Sequence, residues 1–71
     1  MNGFMMDIAK SIRVGIARLN KNKAWLAKEL GVSKQYVSAI CSGVDVPSTD
    51  RIQELARLFN VDVSVFIGWG E

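Results

Sequence analysis

The segment that most restricts how this chain can fold is Lys23 to Gly43, KAWLAKELGVSKQYVSAICSG, where two short amphipathic stretches meet at Leu30-Gly31-Val32-Ser33. In the first stretch Leu26, Ala27 and Leu30 share one side of a helix, because three or four residues make about one turn, and Lys28 and Glu29 look outward. Glycine enters the left-handed conformation that closes a helix without a steric penalty, so the chain can reverse at Gly31. Ser33 then stands where it can cap a second helix by accepting a hydrogen bond from a backbone N–H two or three residues on. On that helix Val37 and Ile40 turn back to the core with Ala39 or Cys41 beside them, and Gly43 is placed to end it. Two helices crossing within so short a turn need a small side chain at closest approach, and Ala27 supplies it.

The same spacing leaves Lys34, Gln35, Ser38 and, further round, Tyr36 and Ser42 on the outside of the second helix. A helix face rich in donors and free of carboxylates suits the DNA major groove, which offers acceptors on guanine and an acceptor-donor pair on adenine.

Leu26-Ala27, Leu30-Gly31-Val32-Ser33, then Val37, Ile40 and Gly43 in register, followed by Pro47-Ser48, resemble the helix-turn-helix of the phage Cro and repressor family. The match runs over roughly Ile12 to Ile67. The resemblance implies an all-α, lambda-repressor-like domain of four to five short helices that binds double-stranded DNA and regulates transcription. In that family two recognition helices of a homodimer lie one DNA turn apart, about 34 Å, so the implied target is a short near-palindrome. Carried over residue by residue, Lys34 and Gln35 come first on the recognition helix and reach base edges, Gln35 suited to adenine and Lys34 to guanine. Ser38 and Ala39 match the other base-facing positions, with Ala39 able to touch a thymine methyl. Ser33, Tyr36 and Ser42, with Asn22 and Lys23, are expected at phosphates.

Two positions depart from the family pattern. Where the family commonly carries a glutamine after the cap, Lys23 keeps a phosphate contact as a point charge but loses the amide pairing. Lys21 stands where an apolar residue usually acts as a staple.

Seventy-one residues make one domain, 1–71, and a domain of this size buries only about 60% of its unfolded surface. An apolar fraction of 49% with 23% charged residues describes a globular chain. No run of about 18 apolar residues is present to span a membrane, and MNGFMMD lacks the pattern of a signal peptide. One cysteine and no histidine fit a reducing compartment, so a cytoplasmic location is expected, and they exclude a Cys/His zinc site. No cofactor, metal or small-molecule ligand is implied.

The overall charge of +2 is uninformative, whereas its distribution is not. Residues 1–34 carry seven basic residues against Asp7 and Glu29, a net +5, while residues 35–71 carry two basic against five acidic, a net −3. Such asymmetry alone is compatible with an ordinary solvated surface. Beside a helix-turn-helix it favours a positive face toward phosphate.

Elsewhere, Ile8, Ile12, Ile16 and Leu19 mark a first helix from Asp7 to about Leu19, with Asp7 near its positive end. Gly15 costs that helix roughly 1 kcal/mol relative to alanine, which is tolerable if a neighbouring helix packs close. Asn22 is a reasonable N-cap for the second helix. Trp25, at a position the family usually keeps polar, either packs over the first or fourth helix or meets a partner. Phe4, Met5 and Met6 could cover the core edge or a partner. After Val44-Asp45-Val46, a loop that runs beside DNA in the family, Ser48 caps a fourth helix with Ile52, Leu55, Ala56 and Phe59 inward. Cys41 reads as core packing.

The tail 61–71 is ambiguous, since the alternation in VDVSVFI suggests a strand. The family register implies instead a short fifth helix capped by Asp62, which is preferred. Val65, Phe66, Ile67 and Trp69 are too apolar for so small a domain to leave exposed, so a homodimer through this tail is expected. A rival reading from another class is an interaction module, of the kind an antitoxin uses to hold a toxin, with Trp25, Trp69 and the tail as its surface. An enzyme has little support: there is no histidine, no glycine-rich phosphate loop and no credible carboxylate pair.

Overall fold

The computed structural model describes Asp7–Glu71, and these residues form five α-helices. They are α1 (Ile8–Arg18), α2 (Lys23–Leu30), α3 (Lys34–Ser42), α4 (Thr49–Leu58) and α5 (Val63–Gly68). Phe4, Met5 and Met6 lie outside the described residues.

Each boundary has a chemical cause. Four helices are N-capped by a side-chain oxygen accepting a backbone N–H: Asp7 from Lys10, Asn22 from Trp25, Ser33 from Tyr36 and Ser48 from Arg51. Asp62 holds the same position before α5 but makes no side-chain cap bond. Gly31 and Gly43 end α2 and α3 in the left-handed region, at φ 69° and 86°. After α1 and α4 that conformation falls to Asn20 and Asn60, at φ 55° and 61°, asparagine being among the few residues that visit it readily. The backbone N–H of the residue after each asparagine then reaches back to a helix carbonyl, Lys21 to Ile16 and Val61 to Ala56, both at 3.0 Å.

α1 packs on α3 and α5, α2 on α3, and α4 on α5. The interior is apolar: Ile12, Leu26, Val37, Ile40, Leu55 and Phe66 have no accessible surface at all. Ala27 and Cys41 are also buried, as their spacing predicts. The buried polar Ser11 donates from its hydroxyl to the Ile67 carbonyl at 3.4 Å, tying α1 to α5. A second aromatic layer surrounds Phe59, whose ring lies 6.5 Å from Trp25, 5.9 Å from Phe66 and 6.1 Å from Trp69. Trp25 therefore packs against the end of α4, half-buried, with the Lys21 ammonium 5.9 Å from its ring.

Two expectations require correction, and one ambiguity is resolved. Leu19, placed on the inward stripe of α1, is 40% exposed because the helix ends at Arg18 and Asn20 turns the chain away. The ambiguous tail is the short fifth helix that the family register implied and not a strand, since Phe66 can enter the core while Val63 and Ile67, three residues before it and one after, pack at its margin. Phe66 in turn is no surface residue: it is completely buried within one protomer, where it contributes roughly 1.5–3 kcal/mol of burial. Trp69 is half-buried against Phe59 and Phe66, with the Arg18 guanidinium 5.1 Å from its ring. The small core absorbs part of the apolar tail that had been assigned to a partner.

Candidate nucleic-acid interface

α3 owes its orientation to its own sequence. Val37, Ile40 and Cys41 are buried, so the opposite side of the helix has to face water. That side carries Lys34, Gln35 and Ser38, all exposed, with Ala39 half-exposed at its edge. These four belong to one contiguous surface, and no carboxylate interrupts it within the helix. The nearest acidic groups in sequence are Glu29 on α2 and Asp45 in the following loop.

The residues expected at phosphates differ in how their side chains are engaged. Asn22 and Ser33 both spend a side-chain oxygen on a cap, accepting from Trp25 N–H at 2.8 Å and Tyr36 N–H at 3.0 Å. Each still has a donor to offer, the amide NH2 of Asn22 and the hydroxyl hydrogen of Ser33. Lys23 and Ser42 are exposed, and the Ser42 hydroxyl donates to the Ala39 carbonyl at 3.2 Å. Tyr36 is half-buried rather than free, with its ring packed against the core edge.

Sequence reasoning overlooked two arginines that hold the helix from outside the motif. Arg13 of α1 donates to the carbonyl of Cys41, satisfying one of the orphan acceptors in the last turn of α3. Arg51 of α4 stands 5.5 Å from the Tyr36 ring centre. No spacing rule connects either arginine to α3, because the helices meet only through the tertiary fold. The electrostatics at Cys41 record the same arrangement: burial pushes its thiol up from the ordinary value, while the Lys23 and Arg13 cations pull it the other way. A helix C-terminus carries a partial negative charge, so two cations from different helices are well placed there.

The loop after α3 differs in character. Val44 and Val46 are 84% and 73% exposed and flank Asp45, so its side chains offer phosphate no positive charge. In the tail Val65 is 46% exposed and Ile67 half-buried, so of the four residues expected at a subunit contact these two retain apolar surface beside Trp69, as do Val61 and Val63 nearby.

Among the described residues no group of three or more histidine, cysteine, aspartate or glutamate side chains is placed to hold a metal ion. No described helix is long and apolar enough to cross a membrane. Comparison with curated proteins and with solved structures finds no match. A model of a helix-turn-helix family does match, over residues 8–66, a span that begins with α1 and ends inside α5. The donor-rich α3 held across α2 by the Gly31 turn is the feature such a family is built on, and the chain belongs to the helix-turn-helix family of the Cro and repressor type, as a DNA-binding regulator of transcription.

Proposed function

We propose that the protein is a Cro-like regulator that reads a short near-palindromic operator as a homodimer, inserting α3 of each copy into the major groove. The observation that carries this reading is the exposure of Lys34, Gln35 and Ser38 together on a carboxylate-free face whose opposite side is locked into the core. Lys34 serves guanine and Gln35 adenine, Ser38 reads a neighbouring edge, and Ala39 lies against a thymine methyl. Asn22, Lys23, Ser33, Tyr36 and Ser42 grip phosphates and set the register. Occupying the operator blocks or recruits polymerase. Val65, Ile67 and the outer edge of Trp69 form the contact between copies.

The test is selection of bound sequences from a random DNA pool. An enriched inverted repeat is the expected outcome; recovery of no common sequence defeats the proposal. The rival reading, an interaction module, is weakened because Trp25 and Trp69 are already engaged with Phe59. Salt separates the two, since phosphate contacts release counterions and lose affinity steeply as salt rises.

A further inference from the structure

Arg51 lies in the first turn of α4, outside the helix-turn-helix; one contact reaches the recognition helix and two, within α4 and its cap, fix the residue in place. Its guanidinium stands over the Tyr36 ring at 5.5 Å from the centre. Its Nη1 donates to Glu54 Oε1 at 2.9 Å, the sole ion pair among the described residues. Its backbone N–H donates to the Ser48 hydroxyl oxygen at 3.2 Å, which seats the residue at the start of α4. The side chain is left only 26% exposed.

We propose that Arg51 is a positioning residue for DNA recognition, fixing the Tyr36 ring at the border of the groove-facing surface while Glu54 aligns the guanidinium and cancels its charge. This rests on α3 being the recognition helix. Tyr36 follows Gln35 directly, so a ring free to swing would leave a neighbouring contact unfixed. A planar guanidinium laid against the ring restricts it, which an ammonium does less well because it has no flat face. The pairing with Glu54 has a second consequence. An unpaired cation at this border would attract the phosphates of every sequence alike, whereas the neutralised pair contributes shape without adding indiscriminate affinity.

The experiment measures binding of wild type, Arg51→Lys and Glu54→Gln to the selected operator and to a random duplex of equal length, across a salt series, with thermal melting of each protein alongside. Arg51→Lys retains the charge and is expected to lower the operator-over-random ratio roughly two- to fivefold, the size of an exposed cation–π contact. Glu54→Gln is expected to tighten binding to both duplexes and to steepen the salt dependence by up to about one unit. Repeating Arg51→Lys in a Tyr36→Leu background is expected to produce little further loss, because the partner is already gone. A wild-type ratio in Arg51→Lys overturns the proposal, as does a loss of equal size in the Tyr36→Leu background. Wild-type protein that prefers no duplex sinks the DNA-reading function itself, and this inference with it.

Discussion

The ring of Phe59 packs against the bare backbone of Gly15 so closely that a Cβ at that position would lie 2.6 Å from its Cε2. The contact joins the middle of α1 to the end of α4 and seats the ring that Trp25, Phe66 and Trp69 surround.

Gly15→Ala sets two effects against each other. Alanine gains about 1 kcal/mol of helix propensity. The added methyl has to displace an aromatic ring enclosed by three others, and overpacking of that kind costs about 1–3 kcal/mol. The clash is expected to win, lowering the melting temperature and loosening the aromatic cluster in near-ultraviolet circular dichroism. A variant that melts higher than wild type shows the ring can step aside.

Gln35→Ala is expected to relax preference at one base position, with a loss of about 1–3 kcal/mol on the operator alone. Lys23→Ala is expected to weaken operator and random DNA together and to reduce the salt slope by about one. Titration of both variants against matched duplexes checks this, and equal losses on both duplexes for Gln35→Ala remove that residue from base reading.

Phe66→Ala separates core from interface. Because the side chain is fully buried in a single protomer, truncation is expected to cost about 3–5 kcal/mol of folding stability, most of what a domain of this size has. Val65→Ser, at an exposed position, is expected to leave the melting of dilute protein nearly unchanged while weakening self-association. Sedimentation over a range of concentrations reports the second effect and thermal melting the first. A Phe66→Ala protein that melts like wild type contradicts the burial of this ring in the core.

Cys41 gives the fold an alkaline limit. Burial raises the thiol pKa above its value in the unfolded chain, so the folded state favours the neutral form. The sign follows: this contribution is complete below the unfolded thiol pKa and is lost as pH climbs toward the folded one. About 1.4 kcal/mol is lost for each unit that separates the two values. Urea unfolding of wild type and Cys41→Ala from neutral to alkaline pH is expected to show a shallower alkaline decline in the variant. Parallel declines would mean that the thiol titrates alike in both states.

Local chemistry was readable directly from residue types. Asn22, Ser33 and Ser48 are capping residues wherever a helix follows them, and Gly31 and Gly43 are stops because glycine reaches the left-handed region without a steric penalty. Periodicity placed Val37 and Ile40 inward, and that forced Lys34, Gln35 and Ser38 outward on the candidate interface. These properties depend on neighbours within about four positions, which is why a linear reading reaches them.

Contacts between distant segments were decided only by the tertiary structure. VDVSVFI alternates like a strand, yet among the described residues there is no sheet to join, and burying Phe66 beneath α1 and α4 required a helix. Arg13 and Arg51 enter a linear reading only as members of the charge count, whereas the fold brings one to the Cys41 carbonyl and the other to the Tyr36 ring. The apolar tail suggested a partner because its sequence cannot reveal how much room the core leaves. Packing is a property of volumes assembled from all five helices, and no window of sequence contains it.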